Sequence, residues 1–366
     1  MKYSYEGRNF DIKRYPPTTN RSLQPWNASD ELILEFLSDK NISAESVVLV
    51  NDRFGFLATT LFNAKPISVT DAKSHQKAIE RNYTSNSLVL KSKALLNPIN
   101  ELSEFEFGVI KIPKSLEEFE FYIQHLHQSL HPDGTIIGGF MTKYFTPQIL
   151  EIAGKYFEEV EQTKAIKKAR LLILKGKKEI DYQSLMHTIE FKEKNYQQYA
   201  GVFSSEHIDY ATQFLLEHLN IKESEIKVLD LACGNGVIAT QIKTQKPDAE
   251  IHLLDDSFLA VESSKLNIDE AHFHWNDSLE DFEDGTFDLI VSNPPFHFEY
   301  ETNIEVSLNI FEQAHKRLKT SGRFIVVANQ HLNYKTHLDK IFTSCSISAE
   351  NDKFVVYECL KTNIKD

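Results

Sequence analysis

A chain of 366 residues is longer than one hydrophobic core usually organises, so two domains are expected. Apolar and charged fractions of 41% and 25% are those of an ordinary globular protein and exclude disordered and low-complexity classes. The net charge of −13 argues against naked nucleic acid as a generic partner.

The amino terminus, MKYSYEGRNF, has no apolar core of the kind a secretory signal needs. The longest aliphatic runs, Val47–Val50 and Leu171–Leu174, are strand-sized and too short to span a bilayer. Cys233, Cys345 and Cys359 have neither disulfide-framework nor zinc spacing. Together these features predict a reduced, cytoplasmic protein with no membrane segment and no metal, and a monomer is the default expectation.

In chain order, the Val-rich run at 47–50 reads as a strand that turns through Asn51-Asp52-Arg53-Phe54-Gly55 into a helix. Ile67–Asp71, Phe107–Ile110 and the segment after Gly134 continue the alternation. From Lys164 to Lys178 the chain carries seven basic residues and no acid. This run reads either as a solvated helix face followed by a strand edge or as a phosphate-contacting patch. Residues 1–180 hold 24 Lys and Arg against 22 Asp and Glu, whereas residues 181–366 hold 16 against 31. A boundary is expected in the polar stretch between Gly176 and Tyr199, dividing the chain into domains 1–185 and 186–366.

In the second half, Lys227–Leu231 is a short strand, Val237–Lys243 a helix, Glu250–Leu254 a strand and Ala260–Asn267 a helix. Phe287–Ser292 follows as a strand and Asn303–Leu318 as a long amphipathic helix. Gly322 is read as a helix-to-strand turn before Phe324–Ala328. Such alternation predicts a mostly parallel, doubly wound sheet. The two halves also echo one another. Gly55-Phe56-Leu57-Ala58-Thr59 parallels Gly236-Val237-Ile238-Ala239-Thr240, and three further matches follow in the same order, ending with Pro132–Ile137 against Thr320–Ile325. The fold expected is therefore α/β, with two tandem Rossmann-like domains. The first lacks the Gly234-x-Gly236 turn and so reads as a degenerate copy.

The turn Asp230-Leu231-Ala232-Cys233-Gly234-Asn235-Gly236 lets the backbone leave a strand sharply and approach a ligand at a helix N-terminus. Gly234–Ala239 also fits a dinucleotide pattern. Asp230 at the strand end suits a ligand bearing an ammonium group, whereas a pyrophosphate would be repelled there. Cys233 has no base nearby in sequence and reads as packing. The strand Phe287–Ser292 runs into Asn293-Pro294-Pro295-Phe296-His297. Paired prolines fix the backbone and leave carbonyls outward. The Asn293 oxygen and the Pro294 carbonyl suit the two hydrogens of an exocyclic amine. Phe296 offers a face for a flipped base, and His297 is a candidate helper or a supporting residue.

These segments resemble the S-adenosylmethionine-dependent class I methyltransferases, and Asn-Pro-Pro-Phe-His in particular resembles the RsmC/RlmG family of bacterial rRNA guanine-N2 methyltransferases. Asn195-Tyr196 with Gly201-Val202-Phe203-Ser204 is similar to that family's lead-in, and Val327–Tyr334 and Asn351–Val356 to its closing segment. The likeness covers 195–360 closely and the first half only in architecture, and it leans toward the large-subunit branch. It implies a degenerate N-terminal domain that binds ribosomal RNA, and a catalytic loop of Asn293, Pro294, Pro295 and Phe296. It implies S-adenosylmethionine as cofactor, held by Phe203, Asp230, Ala232, Gly234, Asn235, Gly236, Asp255, Asp256, Asn276, Asp277 and Asn293. Asp255 would take the ribose hydroxyls and Asn276-Asp277 the adenine amine. Ala232 departs from the glycine of many relatives. The alternatives are adenine-N6 or protein-glutamine methylation, a non-catalytic ribosome-assembly factor and an NAD-dependent enzyme.

Overall fold

The computed structural model describes residues 1–20, 22–294 and 304–362, in two units, Met1–Leu185 and Met186–Asp366. The first opens with a hairpin, β1 (Lys2–Tyr5) and β2 (Arg8–Asp11), and helix α1 (Ala28–Ser38), whose start is closed by reciprocal bonds between Asn27 and Asp30. It continues through β3 (Val47–Val50), α2 (Phe56–Thr60), β4 (Ile67–Val69), α3 (Lys73–Ser85), β5 (Leu95–Leu96) and β6 (Phe105–Lys111). It ends with α4 (Leu116–Ser129), β7 (Leu130–Met141), α5 (Gln148–Tyr156), β8 (Phe157–Gln162) and β9 (Ala169–Lys177). The sheet order is β5-β4-β3-β6-β7-β9-β8, parallel except for β9 and β8.

The second unit has its own leading hairpin, β10 (Met186–Phe191) and β11 (Lys194–Tyr199), then α6 (Tyr210–His218) and β12 (Lys227–Leu231). Next come α7 (Val237–Gln245), β13 (Glu250–Asp255), α8 (Phe258–Lys265), β14 (His272–Trp275) and β15 (Phe287–Ser292). The last elements are α9 (Ile304–Arg317), β16 (Leu318–Asn329), α10 (Lys335–Ile341), β17 (Ser344–Glu350) and β18 (Phe354–Leu360). Its order, β14-β13-β12-β15-β16-β18-β17, repeats that of the first unit strand for strand, including the antiparallel pair at the end. The chain thus holds two tandem Rossmann-like domains, as the repeat in the sequence implies.

Strand periodicity sorts the core of the second unit onto two faces. Val228, Leu289, Val291, Ile325 and Val327 pack on one side with Leu215 and Ile238. Leu229, Ile290, Phe324 and Val326 pack on the other with Phe311 and Tyr334. All are buried, so the central strands read as continuous apolar runs. The order reverses between β12 and β15, and at such a switch point the carboxyl ends of the strands leave a crevice for ligand.

Three expectations are corrected. Gly322 lies inside β16, which begins directly after α9, and is not a turn before the strand. No helix forms in the Lys164–Lys178 run, which is the turn and second strand of the β8–β9 hairpin, with Lys167 and Lys168 both at positive φ. Cys345 and Cys359 lie directly opposite in the β17–β18 register and are joined as a disulfide, a pairing that antiparallel register creates and linear spacing does not reveal. Among the described residues no helix is long and apolar enough to cross a membrane.

Candidate active site

The site grows from the end of β12. Asp230 is fully buried, and its Oδ2 accepts the Ala239 N–H at 2.9 Å, while Oδ1 has no partner among the described residues. Burial pushes its pKa well above the ordinary carboxylate range; the Ala239 N–H opposes the shift, and nearby Asp255 adds to it. Beyond Leu231 the chain folds back sharply. Ala232 and Cys233 both donate to the Leu254 carbonyl, at 2.8 and 3.2 Å, and Ala232 adopts φ +60. Cys233 is buried and its thiol is pushed up by the same burial, in keeping with a packing role.

The two glycines do different work. At Gly236, φ is +80 and a Cβ would lie 3.0 Å from Ser264, so glycine permits α7 to start close against α8. At Gly234, φ is +53 and a Cβ would meet nothing within 4 Å, so its open side faces room for a ligand. Its N–H donates to Asp255 Oδ2 at 3.0 Å, and Ser257 N–H donates to Oδ1 at 2.9 Å. Burial raises the Asp255 pKa, with these N–H groups opposing. Asp255 therefore stands at the end of β13 beside the glycine turn, where a ribose diol would need it. The Asn276 N–H binds the Asp255 carbonyl at 3.0 Å, its side-chain oxygen takes the Asp277 N–H at 2.9 Å, and its amide nitrogen holds Asp281 at 2.6 Å. The Asp256 carbonyl accepts from Trp275 Nε1 at 2.8 Å.

Asn235 is placed differently from the expectation. Its buried side chain donates to Gln198 Oε1 at 2.8 Å and accepts the Val237 N–H at 3.3 Å, so both ends of the amide are bonded within the unit. Gln198 in turn donates to the Val202 carbonyl at 3.1 Å, and Asn267 binds the Asn235 carbonyl at 2.9 Å. These amides tie the lead-in segment to the glycine turn. Phe203, one residue beyond Val202, is 71% exposed, as an aromatic side chain awaiting a ligand would be.

At the end of β15, Ser292 Oγ donates to the Leu231 carbonyl at 2.7 Å, fixing the two strand ends that flank the crevice. Asn293 follows. Its Nδ2 donates to Asp209 Oδ2 at 2.9 Å and to Thr212 Oγ1 at 2.8 Å, so both amide hydrogens are used. Its Oδ1 is buried and has no partner among the described residues. Pro294 is buried; Pro295, Phe296 and His297 lie outside the described residues. Asp209 and Thr212 did not emerge from the sequence. The one available signal was local: Asp209 caps α6 by accepting the Thr212 N–H at 3.1 Å, an Asp-x-x-Thr pattern at a helix start.

The remaining candidates separate from this site. Glu250, His252 and His272 cluster on β13 and β14, but Glu250 and His272 are the first residues of those strands, at the end opposite the glycine turn. The Lys227 ammonium already lies 2.8 Å from the Glu250 carboxylate and, with His252, holds its pKa down to about 2. Within the basic run, Lys167 pairs with Glu31, Lys177 binds the Leu130 carbonyl and Lys178 the Gly154 carbonyl. These contacts serve the fold of the first unit. In that unit the counterpart turn keeps the backbone and loses the room. Asn51 and Gly55 have φ of +60 and +68, yet Arg53 replaces the open glycine, buried Phe54 fills the loop and Asp52 takes the Ala58 N–H at 2.7 Å.

A carboxylate with a spare oxygen, an open glycine and an acid at the second strand are groups that could hold S-adenosylmethionine through its ammonium, amino-acid backbone and ribose. Comparison with known proteins agrees. Residues 193–358 match the methyltransferase small domain and residues 1–179 the RLMG N-terminal domain. Ribosomal RNA large subunit methyltransferase G of Psychromonas ingrahamii is 30% identical over 96% of both chains. That of Yersinia enterocolitica is 32% identical over 97% of this chain and 93% of its own. The 16S rRNA N2 methyltransferase RsmC of T. thermophilus, solved with AdoMet and guanosine, shares the fold, with a TM-score of 0.78 at 19% identity over 99% of this chain and 97% of its own. The chain belongs to the ribosomal RNA large subunit methyltransferase G family, whose members join a methyltransferase small domain to an RLMG N-terminal domain.

Proposed function

We propose that the second unit transfers a methyl group from S-adenosylmethionine to the exocyclic N2 of a guanine in large-subunit ribosomal RNA. The observation that carries this reading is the Asn293 amide. Both its hydrogens are committed to Asp209 and Thr212, so the buried oxygen beside the crevice is left as an acceptor. An exocyclic amine brings two N–H donors and a lone pair delocalised into its ring. Donating one hydrogen to Asn293 Oδ1 and the other to the Pro294 carbonyl holds the nitrogen and favours tetrahedral geometry. The gain is orientation for in-line transfer. The cofactor supplies an electrophilic methyl on its sulfonium, and Asp230 and Asp255 position that cofactor. Phe296 would stack on the base, a contact worth roughly 1–3 kcal/mol, and the nucleotide must be unpaired or flipped to arrive.

An rRNA base is favoured over glutamine by the relatives' names and by the Phe296-His297 ending, and guanine over adenine by the N2 guanine activity and bound guanosine of the structural neighbour RsmC. The acidic second unit leaves RNA contacts to the first, whose charges nearly balance and whose basic run at 164–178 offers the phosphate contacts. Such a substrate places the enzyme in the cytoplasm. The test is to incubate the protein with methyl-labelled S-adenosylmethionine and rRNA from a strain lacking the gene, then identify the labelled nucleoside. Label in N2-methylguanosine of large-subunit RNA is expected. Label in N6-methyladenosine, or in small-subunit RNA alone, would overturn the substrate assignment.

A further inference from the structure

We propose that Asp209 and Thr212 form a clamp that fixes which end of the Asn293 amide faces the substrate, making both positioning residues for methyl transfer. The proposal rests on Asn293 acting as the amine's acceptor.

An amide side chain is nearly symmetric in shape, and its two ends differ only in hydrogen bonding. Unless something discriminates between them, a half-turn about the last torsion presents NH2 where the carbonyl oxygen should be. A substrate amine would then meet two donors, and the lone pair would lose its aim. Here the discrimination is chemical. The Asp209 carboxylate and the Thr212 hydroxyl oxygen lie 2.9 and 2.8 Å from Asn293 Nδ2. Turning the amide over would set its oxygen against the Asp209 carboxylate, a repulsion that the Thr212 hydroxyl, able to donate as well as accept, would offset only in part. The orientation seen is the one a carboxylate enforces, and it leaves Oδ1, buried, as the end without a partner among the described residues.

The clamp itself is anchored. Asp209 Oδ2 also accepts the Thr212 N–H at 3.1 Å, so one carboxylate oxygen both caps α6 and holds Asn293. Behind it, Ala211, Leu215 and Leu216 are buried in the core, and Gln213 Nε2 returns to the Ile208 carbonyl at 2.6 Å. Helix α6 precedes β12 in the chain, so a residue 84 positions upstream governs the catalytic loop. A misplaced reacting group costs on the order of 10²-fold in rate.

The experiment is an exchange of the two groups, scored by turnover on rRNA and by cofactor affinity. Asn293→Asp sets a second carboxylate against Asp209 and should lose about 10²-fold in kcat. Asp209→Asn alone removes the discrimination and should lose less, with the KM for rRNA and the Kd for S-adenosylmethionine both retained. In the double variant the amide at 209 donates to the carboxylate at 293, whose other oxygen again accepts from the amine. It should regain about tenfold or more over Asn293→Asp alone, a coupling that loss of a helix cap would not produce. Thr212→Val should lower kcat several-fold without changing cofactor affinity. Equal inactivity of Asn293→Asp with and without Asp209→Asn, or full activity of both Asp209→Ala and Thr212→Val, would overturn the clamp while leaving Asn293 as acceptor. Full activity of Asn293→Ala would overturn the acceptor role and the clamp together.

Discussion

Asp230 shows what a ligand-ready residue costs the free protein. A fully buried carboxylate with one unanswered oxygen has its pKa raised above its value in the unfolded chain, where about 3.9 is usual. The sign follows from linkage. The folded state holds its proton more tightly, so the group's contribution is fully present below about pH 3.9 and is lost as pH rises through the raised folded value. Near neutral pH the carboxylate therefore weighs against folding, and the proposed contact with the cofactor's ammonium would offset that cost. Asp230→Asn should raise the thermal midpoint of the cofactor-free protein at pH 7 and weaken S-adenosylmethionine binding by tenfold or more. Melting curves with and without cofactor check both effects; a lower midpoint combined with an undiminished cofactor-induced shift would contradict this account. Asp52 in the first unit repeats the trait without the opening, with its pKa raised to about 7, mainly by burial. The carboxylate persists there although Arg53 and Phe54 have taken the room.

Among the elements, the central strands carry the stability and the strand ends carry the chemistry. Arg323 on β16 is buried and binds Glu225 through Nε at 2.5 Å and Nη2 at 2.8 Å, with Glu358 at 3.1 Å and the Asn220 carbonyl at 2.7 Å. Burial opposes its charge, but Glu225 and Glu358 more than restore it. Removing Glu225 leaves the buried guanidinium with Glu358 as its remaining carboxylate, so Glu225→Ala should cost about 3 kcal/mol, the low end for breaking a buried pair, read from denaturant unfolding. A loss below 1 kcal/mol would show the ion pair to be expendable. Most elements were legible in sequence because apolar runs with glycine turns report parallel strands and their helices directly. Lys227–Leu231 and Phe287–Ser292 are found to the residue. The failures share a cause. The hairpin at 163–168 and the Cys345–Cys359 pairing are set by antiparallel register, and the strand through Gly322 by parallel pairing with β15 across a register shift, relations between segments that local pattern does not contain.

For the whole molecule, the duplicated topology explains why one site suffices. Both units keep the strand order and the left-handed backbone of the first turn, and they diverge where Gly234 of one turn is replaced by Arg53 in the other. That contrast was readable from the repeat itself. The charge split was also readable, but not what individual lysines do: Lys177 and Lys178 cap carbonyls of their own unit instead of forming one outward patch. The proximity of Asp230, Gly234 and Asp255 was legible in the sequence, because their strand ends and turn are set by local pattern. That of Asp209 and Thr212 to Asn293 was not, because the contact spans more than 80 residues.

The account turns on Asn293 as the group that holds the reacting amine, and the most direct test separates that role from cofactor binding. Single-turnover methyl transfer to rRNA and the Kd for S-adenosylmethionine should be measured for the protein and for Asn293→Ala. Loss of transfer by about 10²-fold or more with an unchanged Kd is the result expected. Transfer at the original rate would contradict the assignment of this loop as the catalytic centre.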